Sequence, residues 1–349
     1  MDYAGRDFRN IRYAVDRPLT DAERGVRFRQ QQAVDAPPMD FLSVIRFNST
    51  YMELVDRWYP VAGFSVWLGA LIAAISAFGT GIAGSALFWA PPETERAPLL
   101  ILLFVMAPIG LAMTVGGIWL IRSECWRWTH YPMRVNRKTR QVHVFRQDGT
   151  TLTVPWDDLF IVRGEAKNPM TDTTYDLRAH VLEDDGHTVR ESFTLGYPSP
   201  LGNAQSIDKF WAFLQPYMEA PDGVERTYRH LKEGGYLVAV DGRKEGWRWS
   251  ITRTFMLAAH WPWLQLLAAP ALGNIAIGRM FSMWTSKQPR WPQEVEQANV
   301  IDADDPYVLT WRDNAPLGWR ELYWPLICTI VGVGVFVGAI GWIVSSMFI

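Results

Sequence analysis

The sequence predicts an α+β membrane protein, with transmembrane helices attached to a cytoplasmic antiparallel β domain that a C-terminal helix closes. Three observations predict it. Two apolar runs without a charged side chain, Val61–Ala90 and Leu99–Ile121, flank a short polar turn, Pro91-Pro-Glu-Thr-Glu-Arg-Ala-Pro98. After Arg122 the pattern changes to alternating apolar and polar side chains, the period of half-buried strands. A further uncharged run covers Pro325–Ile349. A hydrocarbon core of ~30 Å takes about 20 helical residues at ~1.5 Å each, so each run is long enough to span.

Composition narrows the function classes. The 349 residues carry a net charge of −2, which gives no reason to expect nucleic acid as a partner. Of the 18 tryptophans, Trp58, Trp89, Trp119, Trp126, Trp128, Trp284 and Trp324 flank apolar runs, where an amphipathic ring suits the headgroup layer. Trp156 and Trp211 read as core residues. Cys125 and Cys328 are far apart in the chain and suggest neither a disulfide framework nor a metal site, so no metal and no cofactor is expected. The first 57 residues are mostly polar, which argues against a cleavable signal peptide.

Residues 1–57 are Arg-rich: Arg6, Arg9, Arg12, Arg17, Arg24, Arg27 and Arg29. They read as a solvated, cytoplasm-retaining flank, with Thr20 capping a short helix from Asp21. Phe47–Arg57 then leads into the membrane. Residues 58–121 form the helical hairpin, with spans near 59–80 and 98–121. The patch Gly79-Thr-Gly-Ile-Ala-Gly84 loosens the first helix or lets two helices approach. Arg46 and Arg57 precede the hairpin, and Arg122, Arg127, Arg134, Arg137 and Lys138 follow it, whereas the turn holds only Arg96. The positive-inside rule therefore places the N-terminus and the β domain in the cytoplasm.

Residues 122–220 form the β domain. Met133–Arg137 and Gln141–Arg146 alternate, Asp148-Gly149 supplies a tight turn, and Thr151–Trp156 returns. Leu159–Arg163, Tyr175–Leu182 and His187–Leu195 are further strands. Ser206 caps a helix from Ile207 to about Met218, which Pro216 ends a turn sooner. Residues 221–254 are a connector, helical around Val224–Lys232, with a short strand at Tyr236–Val240 and an aromatic-basic stretch, Trp247–Arg253, at the membrane surface.

Residues 255–284 leave two readings open. The run is long enough to cross, yet it contains His260, Pro262, Gln265, Pro270, Asn274 and Arg279, which suit an interfacial or re-entrant element equally well. The side on which the C-terminus ends depends on that choice. Residues 285–324 read as a solvated acidic loop with prolines, carrying Glu294, Glu296, Asp302, Asp304 and Asp305 but no Asp-x-Asp-x-Asp-Gly calcium pattern. Residues 325–349 are the last span, whose Gly334 and Gly338 offer a face for tight helix pairing, within the chain or with a second copy.

Asp148-Gly149, Leu152, Trp156, Asp157 and Leu159, with the strand order and closing helix, resemble the pleckstrin-homology-like barrel of bacterial membrane proteins. At a wider scale, Asn48–Arg57, the hairpin, Arg134–Gly149 with Trp156, and Phe193-Thr-Leu-Gly196 resemble an uncharacterised bacterial membrane-protein family. Its members are often encoded beside type VI secretion and Rhs-type toxin genes. That resemblance implies a neighbourhood of action and supplies no catalytic residues.

The motifs of nucleophilic or phosphate chemistry, Gly-x-Ser-x-Gly and Gly-x-x-x-x-Gly-Lys-Ser/Thr, are absent, as is any His-x-x-x-His pair. The expectation is a non-enzymatic, membrane-anchored interaction protein, an accessory or immunity component of a secretion or toxin system. Its partners would be membrane lipids, a toxin or secretion protein, and a second copy through the transmembrane helices. The alternative is a lipid- or ligand-sensing module, with Arg134, Arg137, Lys138 and Arg140 contacting headgroups or partner.

Overall fold

A computed structural model of the chain describes residues 2–3, 13–89, 96–168, 171–197, 203–234, 236–256 and 261–346. Arg6, Arg9, Arg12, His260 and most of the polar turn after Trp89 lie outside the described residues. The strands are β1 (Asp2–Tyr3), β2 (Arg17–Pro18), β3 (Arg27–Phe28), β4 (Val44–Phe47), β5 (Tyr51–Leu54), β6 (Met133–Asn136), β7 (Gln141–Phe145), β8 (Thr151–Pro155), β9 (Leu159–Asn168), β10 (Thr171–Leu182) and β11 (Thr188–Thr194). The helices are α1 (Asp21–Gly25), α2 (Phe64–Trp89), α3 (Arg96–Glu124), α4 (Ala204–Glu219), α5 (Gly223–Gly234), α6 (Trp247–Phe255), α7 (Pro262–Leu267), α8 (Ala269–Thr285), α9 (Gln293–Ala298) and α10 (Trp324–Ser346). They fall into two compact units: a sheet unit of Met1–Val61, Trp128–Trp249 and Lys287–Trp319, and a helical unit of Ala62–Arg127, Ser250–Ser286 and Arg320–Ile349.

In the sheet unit, β4-β5-β6-β7-β8 form one antiparallel sheet, and β1-β11-β10-β9-β3, with β2 also on β11, form the other. Gly149, at φ +87°, makes the turn between β7 and β8 in a conformation that a side chain would strain. The expected closed barrel does not form. Pro155 ends β8 without an N–H to donate, and the turn at Trp156–Asp158 carries the chain into the other sheet, so the ladder stops there.

Two segments read as solvated are built into this unit. β5 pairs with β6, Leu54 opposite Met133 and Tyr51 opposite Asn136, so the apolar hairpin is an insertion between neighbouring strands. Phe28 packs on Trp211 at 5.3 Å, and buried Gln30 donates to the carbonyls of Trp156 and Leu159. The 287–319 segment bridges to β4 through Phe47 and Leu309. Trp156 and Trp211 stack at 5.9 Å with no exposure, which is the core role expected of them.

Local signals explain the helices. Thr20 and Glu23 form a reciprocal capping box on α1. Asn203 caps α4, its Oδ1 accepting from Ser206 N at 2.8 Å, so the cap lies three residues before the expected Ser206. Pro216 sits inside the last turn of α4, and the helix continues to Glu219. Tyr236–Val240, expected as a strand, is irregular; Val238 N makes one bond to Val44 O.

Among the described residues three helical stretches are long and apolar enough to cross a membrane: Tyr59–Ser85, Leu100–Glu124 and Trp319–Ser346. α2 and α3 touch backbone to backbone. A Cβ on Gly69 would lie 2.4 Å from the Gly117 carbonyl oxygen, and Ser76 Oγ meets Thr114 Oγ1 at 2.9 Å. α8 meets α2 where Gly278 faces the Gly63 carbonyl, and meets α10 where Gly273 faces Thr329 and Gly332 faces Ala269. Gly334 and Gly338 have nothing within 4 Å of a Cβ, so packing between helices within the unit uses other glycines.

Candidate functional site

One polar constellation of the first sheet is a cross-strand row. Glu53, Arg134, His143 and Thr153 are register partners from β5 to β8, placed on one face by the two-residue period. Arg134 Nε donates to Glu53 at 2.9 Å and its Nη2 donates to Glu296 at 3.2 Å. Its guanidinium also lies over Tyr51 and Trp291, at 4.7 and 5.0 Å from the ring centroids. Burial works against the Arg134 cation, yet Glu53 and its other neighbours hold its pKa above the usual value. His143 is pushed down to about 4, first by burial and then by Arg134.

The other basic residues singled out from the sequence lie on the same hairpin, each with a partner inside the chain. Arg137 donates to the carbonyls of Tyr217 and Ala220, the second at 2.6 Å, and so holds the C-terminal end of α4. Lys138 pairs with Asp302 at 2.6 Å, and both side chains are exposed. Arg140 binds Asp157 and Glu219, the latter at 2.8 Å. Arg134 is 4% exposed and is a structural cation, with no open path to a lipid headgroup. Chain proximity to Arg122 revealed these charges; their partners, distant in sequence, were not visible.

A second row was missed. Asp176, Arg178 and His180 alternate along β10 with the core residues Leu177, Ala179 and Val181. Asp176 accepts from Arg57 at 2.7 Å, Tyr13 at 2.9 Å and Arg178 at 3.0 Å. Burial favours the neutral acid, but Arg178 and Arg57 outweigh it and hold the carboxyl below its usual range. Gly164 stands opposite on β9, where a Cβ would come within 2.3 Å of Asp176 Oδ1 and 2.7 Å of the Arg178 guanidinium. Gly164→Ala is expected to cost about 1–3 kcal/mol, read as a lower unfolding midpoint.

Further along the row, His180 Nδ1 meets Ser192 Oγ at 2.6 Å and its Nε2 lies 3.3 Å from Glu23 Oε1. Burial pushes Glu23 up, but the hydrogen bonds from Arg17 and Thr20 bring it down to about 2. Serine, histidine and carboxylate are the parts of a nucleophilic triad. Here Ser192 and His180 have no exposed surface, so the set joins β10, β11 and α1 and presents no hydroxyl to a substrate.

Burial also pushes His180 down to about 4. A histidine protonates near 6.5 when unfolded, so the unfolded state takes up the proton first as pH falls. The stabilisation is therefore complete above about pH 6.5 and declines towards pH 4, by up to about 3 kcal/mol for each of His143 and His180. Chemical unfolding across this window should show that decline, and the double variant His143→Gln/His180→Gln should flatten it.

The described surface of this unit includes a groove of about 310 Å³ between residues 31–38 and the α4–α5 corner. Gln31, Val34, Pro38, Gln215, Glu219 and Arg226 line it. Among the described residues no group of three His, Cys, Asp or Glu side chains has the arrangement to hold a metal ion.

The chain thus combines two antiparallel sheets, polar rows paired internally, and three helical stretches with membrane-spanning composition. Residues 110–303, more than half of it, match the family of unknown function DUF6708, and the protein belongs to that family. This agrees with the resemblance to an uncharacterised family. No curated protein and no solved structure matches the chain.

Proposed function

We propose that the protein is a non-enzymatic interaction protein anchored in the bacterial inner membrane, an accessory or immunity component of a secretion or toxin system. The excess of basic residues on both flanks of the hairpin supports a cytoplasmic sheet unit. The observation that carries the binding role is the groove beside α4. It is concave, mixes apolar with polar side chains, and offers Gln31 and Arg226 to orient an extended segment of a partner.

Affinity purification from native membranes in mild detergent, with proteins and lipids identified by mass spectrometry, tests this reading. A stoichiometric protein from a neighbouring toxin or secretion locus, lost on Val34→Glu or Ala212→Arg, is the expected outcome. Anionic lipid enriched without such a protein would favour the sensing reading instead. The internal partners of Arg134, Arg137 and Arg140 argue against that reading.

A further inference from the structure

We infer that α6, α7 and α8 form a re-entrant element: they dip about half-way into the bilayer and return to the face they left, so that α10 ends on the opposite side. The occupant of the exposed apolar face of α7 is then the acyl region of the membrane.

The helix ends in the helical unit share one level. Glu124, at the end of α3, accepts from Gly63 N at 2.6 Å and Ser65 N at 3.1 Å, which brings the start of α2 beside it. Ser286 Oγ, just past α8, donates to the Glu124 carbonyl at 3.0 Å. Trp126, Phe281 and Trp284 form a chain of ring contacts at 6.3 and 6.0 Å, and all three are exposed. Beside them Arg122 and Arg127 are exposed as well, the aromatic-basic signature of a headgroup plane. Thr252 Oγ1, in the second half of α6, donates to the Glu321 carbonyl at 2.7 Å, just before α10. The first and last residues of 250–286 therefore lie at the ends from which the spans depart.

Depth follows from the glycine contacts. Gly278 touches the start of α2, and Ala269, nine positions earlier, touches α10 at Gly332. Gly273 touches α10 nearer its start, at Thr329, and Gly332 lies ~12 Å along α10 from Trp324 at ~1.5 Å per residue. That depth is close to half of a ~30 Å core. At that depth α7 exposes Trp263, Leu264, Leu266 and Leu267, the last 71% exposed. Such a face continues the lipid-facing surface of the three spans. The chain flanking 250–286 agrees, because Trp249 and Lys287 belong to the same compact unit, and a folded body lies on one side of a bilayer. An even number of crossings is required between Trp249 and Lys287, which leaves α10 to cross by itself.

Single cysteines in the full chain test this in oriented vesicles, with a membrane-impermeant maleimide. Cys125 and Cys328 are buried, so the unaltered protein is the baseline. Thr139→Cys and Lys287→Cys should label from one side and Ser346→Cys only from the other. Leu267→Cys should label from neither, and a fluorophore attached to it during purification should be quenched most by lipids brominated deep in the acyl chain. Three results would overturn the inference: labelling of Leu267→Cys from the Ser346 side, Lys287→Cys and Thr139→Cys on opposite sides, or strongest quenching by shallow bromine. A reporter fused after Ile349 gives an independent reading of the C-terminal side if a cysteine variant fails to insert.

Discussion

Replacing Asp176 with alanine is expected to destabilise the sheet unit by about 3–5 kcal/mol, the cost of leaving a buried partner charge without its counter-ion. Asp176 has no exposed surface and accepts from Arg57, Arg178 and Tyr13. Its removal takes the carboxylate counter-ion from two guanidinium groups, whose side chains are only 7% and 12% exposed. A typical domain has about 5–15 kcal/mol of stability, so the variant should unfold at much lower denaturant concentration. Asp176→Asn keeps the shape and one acceptor oxygen and should lose less. A loss below about 1 kcal/mol in the alanine variant would show that Arg57 and Arg178 find other partners or reach solvent.

That cluster also shows where sequence reading stops. The hairpin, the strands from Met133 to Trp156, the Asp148-Gly149 turn and the amphipathic α4 were legible, because each rests on a local period or a local turn residue. The barrel was over-read, since the stop at Pro155 depends on which strands the sheet recruits. Arg57 looked like a topology signal beside the apolar run, and its partner Asp176 is 119 positions away. Glu296 looked like part of a solvated acidic loop, yet it reaches Arg134, 162 positions away. Polarity alone cannot separate a solvated charge from one matched across sheets, because both have the same local composition. The four basic residues of the β6–β7 hairpin were found for that reason, and their structural partners were not.

The glycines of the helical unit supply the second large effect, and a control built into the same chain. Gly117→Leu should separate α2 from α3, because a Cβ alone would stand 2.5 Å from the Gly69 carbonyl oxygen and 3.0 Å from Ala73 N. Relief requires the two helices to move apart and stretches the Ser76–Thr114 hydrogen bond, which is 2.9 Å long. Overpacking of this kind costs about 1–3 kcal/mol in an adaptable core, and the rigid backbone contact here puts the expected loss at the upper end. Unfolding in mixed micelles with rising denaturing detergent would read it. Gly334→Leu and Gly338→Leu meet open space and should stay within about 0.5 kcal/mol of the parent in the same assay. Both stripes have small residues, but only one is closed by a neighbouring helix of the unit. If the two sets of variants lost stability equally, the α2–α3 contact would not be the element that holds this hairpin together. If the Gly334 and Gly338 variants kept their stability but lost a cross-linked dimer, that face of α10 would be the one that a second copy uses.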